Sequence, residues 1–312
     1  MLSDSQYGCR SGLSTSMAIY DIHENLLKNR KEKYTACAIF CDLSKVFDTI
    51  DLSILLHKLE HFYGIRSIPL KLLTNYLQDR QQYTVVEGYK SDVQNINRGV
   101  PQGSTLGPLL FALYINDLPK ASRFRTTMFA DDTLLTISSN NPQQLNTLVN
   151  AELHKIDNWM RINKLSLNYK KTTFMIIKCD PKPVTSFSIN IGNNQIAQTN
   201  CTKYLRVIVD DKLSWHQHIT NLEDKLSRNL GIFYMTRHYL TPSALKSVYF
   251  CLVYSHLQYA IGAWGSVPMT APNHLNVLRN KLITAMNFAS YRSHVTPLYH
   301  QSNMLKINYI SP

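Results

Sequence analysis

The sequence is poor in acid. Across 312 residues, 33 Lys and Arg stand against 21 Asp and Glu, giving a net charge of +12. The pI is near 9.3, as expected for a surface that meets phosphate backbones, although an anionic membrane surface would also accept it. Long apolar runs are missing too. The longest clean one, Leu109 to Ile115, falls far short of the roughly 20 residues needed to span a bilayer. The first residues lack the basic-then-apolar pattern of a secretory leader, so the chain reads as soluble and intracellular, in nucleus or cytoplasm, with no membrane partner. None of the six cysteines forms a Cys-x-x-Cys pair, so the combined Cys and His spacing of a zinc finger is missing. That argues against zinc and leaves reduced packing thiols as the expectation. With 44% hydrophobic residues the chain can still bury a substantial core, in one or two units.

Against this background, Phe129-Ala130-Asp131-Asp132 stands out. Two carboxylates lie between apolar runs of strand type, the pattern of a hairpin whose two-residue break is Asp-Asp. A turn chosen for geometry alone would favour Asn-Gly or Asp-Gly. Like charges held side by side at a hairpin tip are easier to rationalise beneath a divalent cation. Asp42 directly follows a second strand-like run, Ala36 to Phe40. Were the two strands neighbours in one sheet, Asp42 and Asp131 would meet as the shared carboxylates of a two-metal site, with hard oxygen ligands suited to Mg²⁺. Such a clamp can align a 3′-hydroxyl with a nucleotide α-phosphate, and nucleases use it as well.

A third feature is the Gly/Pro-rich turn Gly99 to Pro108, which opens into a helix expected over Leu109 to Leu118, with Ser104 as a cap and Pro108 in the first turn. Gly99, Gly103 and Gly107 would remove side chains where a base pair could lie against the backbone, and Gln102 adds an amide that donates and accepts.

Together these stretches resemble the reverse transcriptase domain of non-LTR (LINE-like) retrotransposons, in the same order and over nearly the whole chain. Gln6-Tyr7-Gly8-Cys9-Arg10-Ser11-Gly12-Leu13-Ser14-Thr15 resembles the family's entry motif, and Phe40 to Asp48 its first catalytic motif. The turn Gly99 to Pro108 and the box Ala130 to Asp132 follow. Leu165 to Asn168 with Lys171-Thr172 is similar to the next motif, and Tyr204-Leu205-Arg206-Val207 with Asp210, Leu213, Trp215 and His218 to the primer-side one; Tyr259, Ala260 and Trp264 resemble the region beyond. The family usually has an aromatic where Cys9 stands, Ala where Val46 stands and Gly where Arg206 stands. The match starts at the entry motif, so the chain looks like a fragment without the upstream fingers segments.

The resemblance implies an α+β right-hand polymerase, with a palm and partial fingers over 1–211 and a helical thumb-like region over 212–312. It implies an RNA-directed DNA polymerase whose Asp42, Asp131 and Asp132 hold two Mg²⁺ ions, with Mn²⁺ as a substitute. Phe47 would lie against the sugar of the incoming dNTP and exclude a 2′-hydroxyl. Gln102, Gly103 and Lys171 would also face the nucleotide, while Arg98, Tyr204 and Leu205 would meet an RNA template and DNA primer. Two other readings stay open: a nucleic-acid-binding remnant without turnover, and a maturase-like RNA-binding protein.

Periodicity fills in the rest. Asn141-Pro142 opens a helix with an apolar stripe through Leu145, Leu148, Val149, Leu153, Ile156 and Trp159. Thr172 to Lys178 and Ser186 to Ile191 read as strands, with Pro181-Lys182-Pro183 as the main break between them. Trp215 to Phe233 and the stretch after Thr241-Pro242 read as helices of a bundle, with core stripes rather than template contacts.

Overall fold

The computed structural model describes residues 2–44, 46–178, 187–265, 272–290, 292–302 and 304. The expected break at Pro181-Lys182-Pro183, Ser186 and Cys179 lie outside them. The chain forms two compact units, Met1–Ala18 with Leu26–Asn200 and Ile19–Asn25 with Cys201–Pro312. The first therefore ends at Asn200, ahead of position 211, because the hairpin Cys201–Tyr204/Val207–Asp210 packs on the helix His216–Thr236.

The first unit is built on a five-stranded sheet in the order Ala197–Gln198, Thr173–Ile177, Thr35–Cys41, Asp132–Ser139, Arg125–Phe129. Only the outermost pair, Ala197–Gln198 with Thr173–Ile177, is parallel. The central strand Thr35–Cys41 is buried along its whole length, which explains its near-continuous apolar sequence: a strand covered on both faces has no reason to alternate. Helix Pro142–Ile162 packs on this sheet. Asn141 caps it by accepting from the Gln143 and Gln144 N–H groups at 3.0 and 3.4 Å, Pro142 fills the first turn, and Leu145, Val149, Leu153, Ile156 and Met160 form the buried stripe. The turn after Pro101 enters a shorter helix than its apolar length suggests, Gly107–Tyr114, followed by a 3₁₀ turn at Leu118–Lys120. The interruption has a physical cause. Lys58, buried among the rings of Tyr114 and Trp159, donates to the Tyr114 carbonyl and to Asp117, both at 2.7 Å, and so takes up a helix-end carbonyl that continued helix would have used.

In the second unit, helix His216–Thr236 buries His218, Ile219, Leu222, Leu226 and Phe233. Trp215 precedes it in a left-handed conformation, fixed by Asp210, whose carboxylate accepts from the Lys212, Ser214 and Trp215 N–H groups at 3.1, 2.9 and 2.8 Å. Trp215 is edge-on to both His23 and His218, at 5.4 and 6.0 Å, and His218 in turn to Trp264 at 6.0 Å. Burial drives the His218 pKa down to about 4, with Lys225 adding to the shift, and burial also lowers His23. A folded-state pKa below the unfolded value of 6.5 means that the unfolded chain takes up the proton first. The stability His218 confers is therefore present at neutral pH and is lost as pH falls from about 6.5 through about 4. The expected loss is roughly 3 kcal/mol, and denaturant titrations from pH 7 to pH 4 should show it for wild type and less steeply for His218→Phe. Parallel pH profiles for the two proteins would contradict it.

Candidate active site

Asp42 owes its position to the sheet register. Cys41 is the last residue of its strand and pairs with Thr133, while Phe129 pairs with Asp132 across the neighbouring hairpin. The residue after Cys41 therefore emerges beside the one before Thr133, which places Asp42 next to Asp132 at one end of the sheet. The Asp42 N–H donates to Thr172 Oγ1 at 3.3 Å and its carbonyl accepts from the Asn168 N–H at 2.8 Å. Leu43 bridges Leu167, and the Ser44 N–H donates to the Ser166 carbonyl at 2.9 Å. The stretch Leu165–Thr172 is thus fastened along Asp42. Lys171 is exposed in its last turn.

The hairpin differs from the expected one by a single residue. Its two-residue turn is Ala130-Asp131, and Asp132 already begins the strand. Ala130 alone of the two has a positive φ, +54°, the sign pattern of a type II′ turn that usually takes glycine first. Strict period-2 pairing puts the break one residue earlier than the charge pattern suggests.

Asp132 keeps an exposed flank, yet its carboxyl pKa is raised, first by partial burial and then by the charges of Asp131 and Asp42. The three carboxylates thus share one electrostatic neighbourhood, and among the described residues no lysine or arginine ion-pairs with any of them. Three hard oxygen donors with no counter-cation have the chemistry of a divalent-ion site. They are neighbours rather than a closed chelate, for among the described residues no group of three His, Cys, Asp or Glu is gathered as a metal centre.

A second cluster sits after Asp42 in the chain. Phe47 is half-buried, its ring 5.3 Å from that of Phe111, so it is a core contact as well as a candidate sugar contact. Val46, the residue bulkier than the family's usual one, is 4% exposed and lies in the core. Gln102 Nε2 donates to Asp48 Oδ1 at 2.6 Å, which leaves its amide oxygen for other partners. The three glycines separate by role. A Cβ on Gly99 would meet the backbone of Phe47 and Asp48, and one on Gly107 would meet Ser104 Oγ and the Pro101 carbonyl; only Gly103, with φ +76°, faces open space. Ser104 holds the turn itself, accepting from the Gly107 N–H at 3.0 Å. Arg98 is exposed beside Gly99.

Tyr204 and Leu205 belong to the second unit. Leu205 and Arg206 form the two-residue turn of the hairpin pairing Tyr204 with Val207, both with positive φ, +43° and +66°. That is the sign pattern of a type I′ turn, where Arg206 is strained and glycine would not be. Tyr259 braces this turn, its hydroxyl donating to the Leu205 carbonyl at 2.6 Å, and Trp264 Nε1 donates to the Tyr259 carbonyl at 2.8 Å.

Gln6 is the residue whose role sequence reading missed. It is fully buried, and its amide oxygen accepts from the Gly8 and Ala130 N–H groups at 2.9 and 3.3 Å. Gly8 beside it is required by the same contact, since a Cβ there would sit 2.7 Å from the Ala130 nitrogen.

The fold and site together define a class of α+β protein whose mainly antiparallel sheet presents carboxylates at the ends of two adjacent strands. More particularly, residues 1–209 match the family described as Reverse transcriptase (RNA-dependent DNA polymerase), and the chain belongs to that family. It is 25% identical to the probable RNA-directed DNA polymerase from transposon BS of Drosophila melanogaster, over 97% of this chain and 34% of that protein. It is also 25% identical to the RNA-directed DNA polymerase from mobile element jockey of Drosophila funebris, over 92% of this chain and 32% of that protein. The chain thus spans about a third of the length of these curated relatives. A solved apo telomerase from Candida tropicalis aligns with 98% of this chain and 52% of its own, with a TM-score of 0.47 and 12% identity. Reverse transcriptases generally depend on divalent metal. Among the described residues no helix is long and apolar enough to cross a membrane.

Proposed function

We propose that this chain is the catalytic part of an RNA-directed DNA polymerase of a non-LTR retrotransposon, adding dNTPs to a primer 3′-hydroxyl on an RNA template inside the cell. The observation that carries the reading is the register that sets Asp42 beside Asp132 and the Asp131 turn. In it the five-stranded sheet is the palm and the helices of the second unit are the thumb. Asp42, Asp131 and Asp132 would hold two Mg²⁺ ions, or Mn²⁺ in their place, which supply charge for the attacking and leaving oxygens. The chain's own residues do the positioning. Thr172 and Asn168 fix the backbone of Asp42, the Gly103 face leaves room for a nucleotide or base pair, and Lys171 and Arg98 offer exposed cations to phosphates. Tyr204 and Leu205, at the Leu205-Arg206 hairpin turn, would meet the primer and template. Primer extension by the whole chain on an RNA template in Mg²⁺, beside a template-free control, tests the reading; no extension in Mg²⁺ or Mn²⁺ would overturn it. One observation favours a second reading, a nucleic-acid-binding protein without turnover: among the described residues no three carboxylate, His or Cys groups close into a metal centre. Hybrid binding without extension would mark that case.

Phe47 gives a further expected result. If its ring closes the space beside the sugar 2′-carbon, Phe47→Val lets ribonucleotides compete, lowering discrimination by about tenfold or more. Because the ring also touches Phe111, some stability is lost as well, on the order of 1–2 kcal/mol for a half-buried aromatic. Competition between dNTP and rNTP in single-nucleotide extension reads the first effect. Lost stability with unchanged selectivity would leave Phe47 as a core residue only.

A further inference from the structure

Gln6 lies in an environment that a polar side chain occupies only at a cost. Segment Ser5–Tyr7 runs along the outer strand of the sheet: Gln6 bridges Met128 in parallel, the Met128 N–H donates to the Ser5 carbonyl, and the Tyr7 N–H donates to the Met128 carbonyl, both at 2.8 Å. This backbone ladder would hold for any residue at position 6. The side chain adds what the ladder lacks. Its Oε1 accepts from Ala130, the first residue of the carboxylate turn, and from Gly8. Its Nε2 is buried and finds no acceptor among the described residues. Exchanging the two ends of the amide would not help, because it would aim an NH₂ at two N–H groups. Leaving a buried donor unmade is unfavourable, so the amide oxygen must be what the position needs. Gly8 completes the arrangement: any side chain there would press on the Ala130 nitrogen from 2.7 Å.

We propose that Gln6 is a positioning residue for the carboxylate hairpin, its amide oxygen anchoring the Ala130 N–H and thereby the backbone that presents Asp131 and Asp132. The inference rests on the reading of those carboxylates as the metal-holding pair. Ala130 has a positive φ without being glycine, a conformation that persists only when its surroundings over-determine it, and Gln6 is the side chain that does so.

The test uses the whole chain with Gln6→Met, which keeps the length and removes the acceptor, and Gln6→Glu, which keeps the acceptor. Hydrogen exchange of the peptide around Phe129–Thr133 is followed beside a reference peptide from helix Pro142–Ile162, and the dissociation constant for Mn²⁺ is measured separately. In Gln6→Met, hairpin exchange should speed up and Mn²⁺ binding should weaken, each by roughly tenfold, as befits one lost hydrogen bond, while the reference helix changes little. Gln6→Glu, buried and therefore held in its neutral form, still accepts and should bring hairpin exchange back toward wild type. Should Gln6→Met fail to fold, Gln6→Asn, whose shorter side chain withdraws the acceptor, takes its place. Unchanged hairpin exchange, or equal acceleration in the reference helix, would overturn the proposal. So would faster hairpin exchange with unaltered Mn²⁺ affinity. Wild-type protein that does not bind Mn²⁺ would instead overturn the metal reading, and the exchange measurement would still decide whether Gln6 holds the hairpin.

Discussion

Asp131→Asn should abolish primer extension while leaving the protein folded. Asp131 is the exposed second residue of the hairpin turn, and among the described residues its carboxylate makes no hydrogen bond or ion pair. Nothing in the fold leans on its charge. The charge instead works against the fold, since it helps to raise the neighbouring Asp132 carboxyl, so the melting temperature should stay level or rise slightly. Catalysis should respond in the opposite direction. A carboxylate that holds divalent ions against the attacking and leaving oxygens supplies several kcal/mol of charge stabilisation, and losing it slows extension by roughly 10³-fold or more. Affinity for an RNA–DNA hybrid should hardly change, because phosphate contacts from Lys and Arg dominate it. Near-normal extension by Asp131→Asn in Mg²⁺ would remove this residue from the mechanism, and a large fall in melting temperature would recast it as structural.

This contrast between fold and chemistry explains what the sequence reveals. The helix at Asn141-Pro142 and the buried strand after Tyr34 are legible because capping, Pro placement and apolar runs are local signals. Asp42 and Asp131 can be brought together from sequence only by supposing that their strands are neighbours, since register is a non-local property; the structure makes the strands neighbours through Cys41 and Thr133 and sets Asp42 beside Asp132, next to the Asp131 turn. Gln6 and Lys58 are harder still. Each is a buried polar side chain with a partner more than fifty residues away, Ala130 for Gln6 and Tyr114 and Asp117 for Lys58; Gln6 also holds Gly8 nearby, but no window around either residue contains the distant partners. Tertiary burial also reassigns residues within a correctly placed motif. The glycines of the Gly99–Pro108 turn look alike in sequence, but only one faces open space.

That difference sets the second large effect, a comparison of Gly99→Ala with Gly103→Ala. Both positions have positive φ, +84° and +76°, so each alanine carries the left-handed penalty of roughly 1–2 kcal/mol. At Gly103 the penalty ends there. At Gly99 the new methyl would lie 2.7 Å from the Phe47 carbonyl oxygen and 2.8 Å from the Asp48 Cα, where a stretch of backbone already docks through Gly99 N–H to the Ile50 carbonyl at 2.8 Å and Val100 N–H to the Phe47 carbonyl at 2.7 Å. Backbone on both sides cannot rotate away as a flexible side chain could, so the docked turn must separate. Both hydrogen bonds weaken, buried Val100 loosens, and the Gln102 contact with Asp48 goes with them. The total for Gly99→Ala is on the order of 3 kcal/mol or more, against about 1–2 kcal/mol for Gly103→Ala, and denaturant unfolding of the two variants measures the gap. Function should invert the order per unit of stability lost. Gly103→Ala keeps its turn in place but puts a methyl on the open face, so its extension defect should appear as a raised KM for nucleotide or template while the fold stays nearly intact. Equal destabilisation by the two alanines would contradict the docking geometry, and a fully active Gly103→Ala would show that no ligand lies against that face.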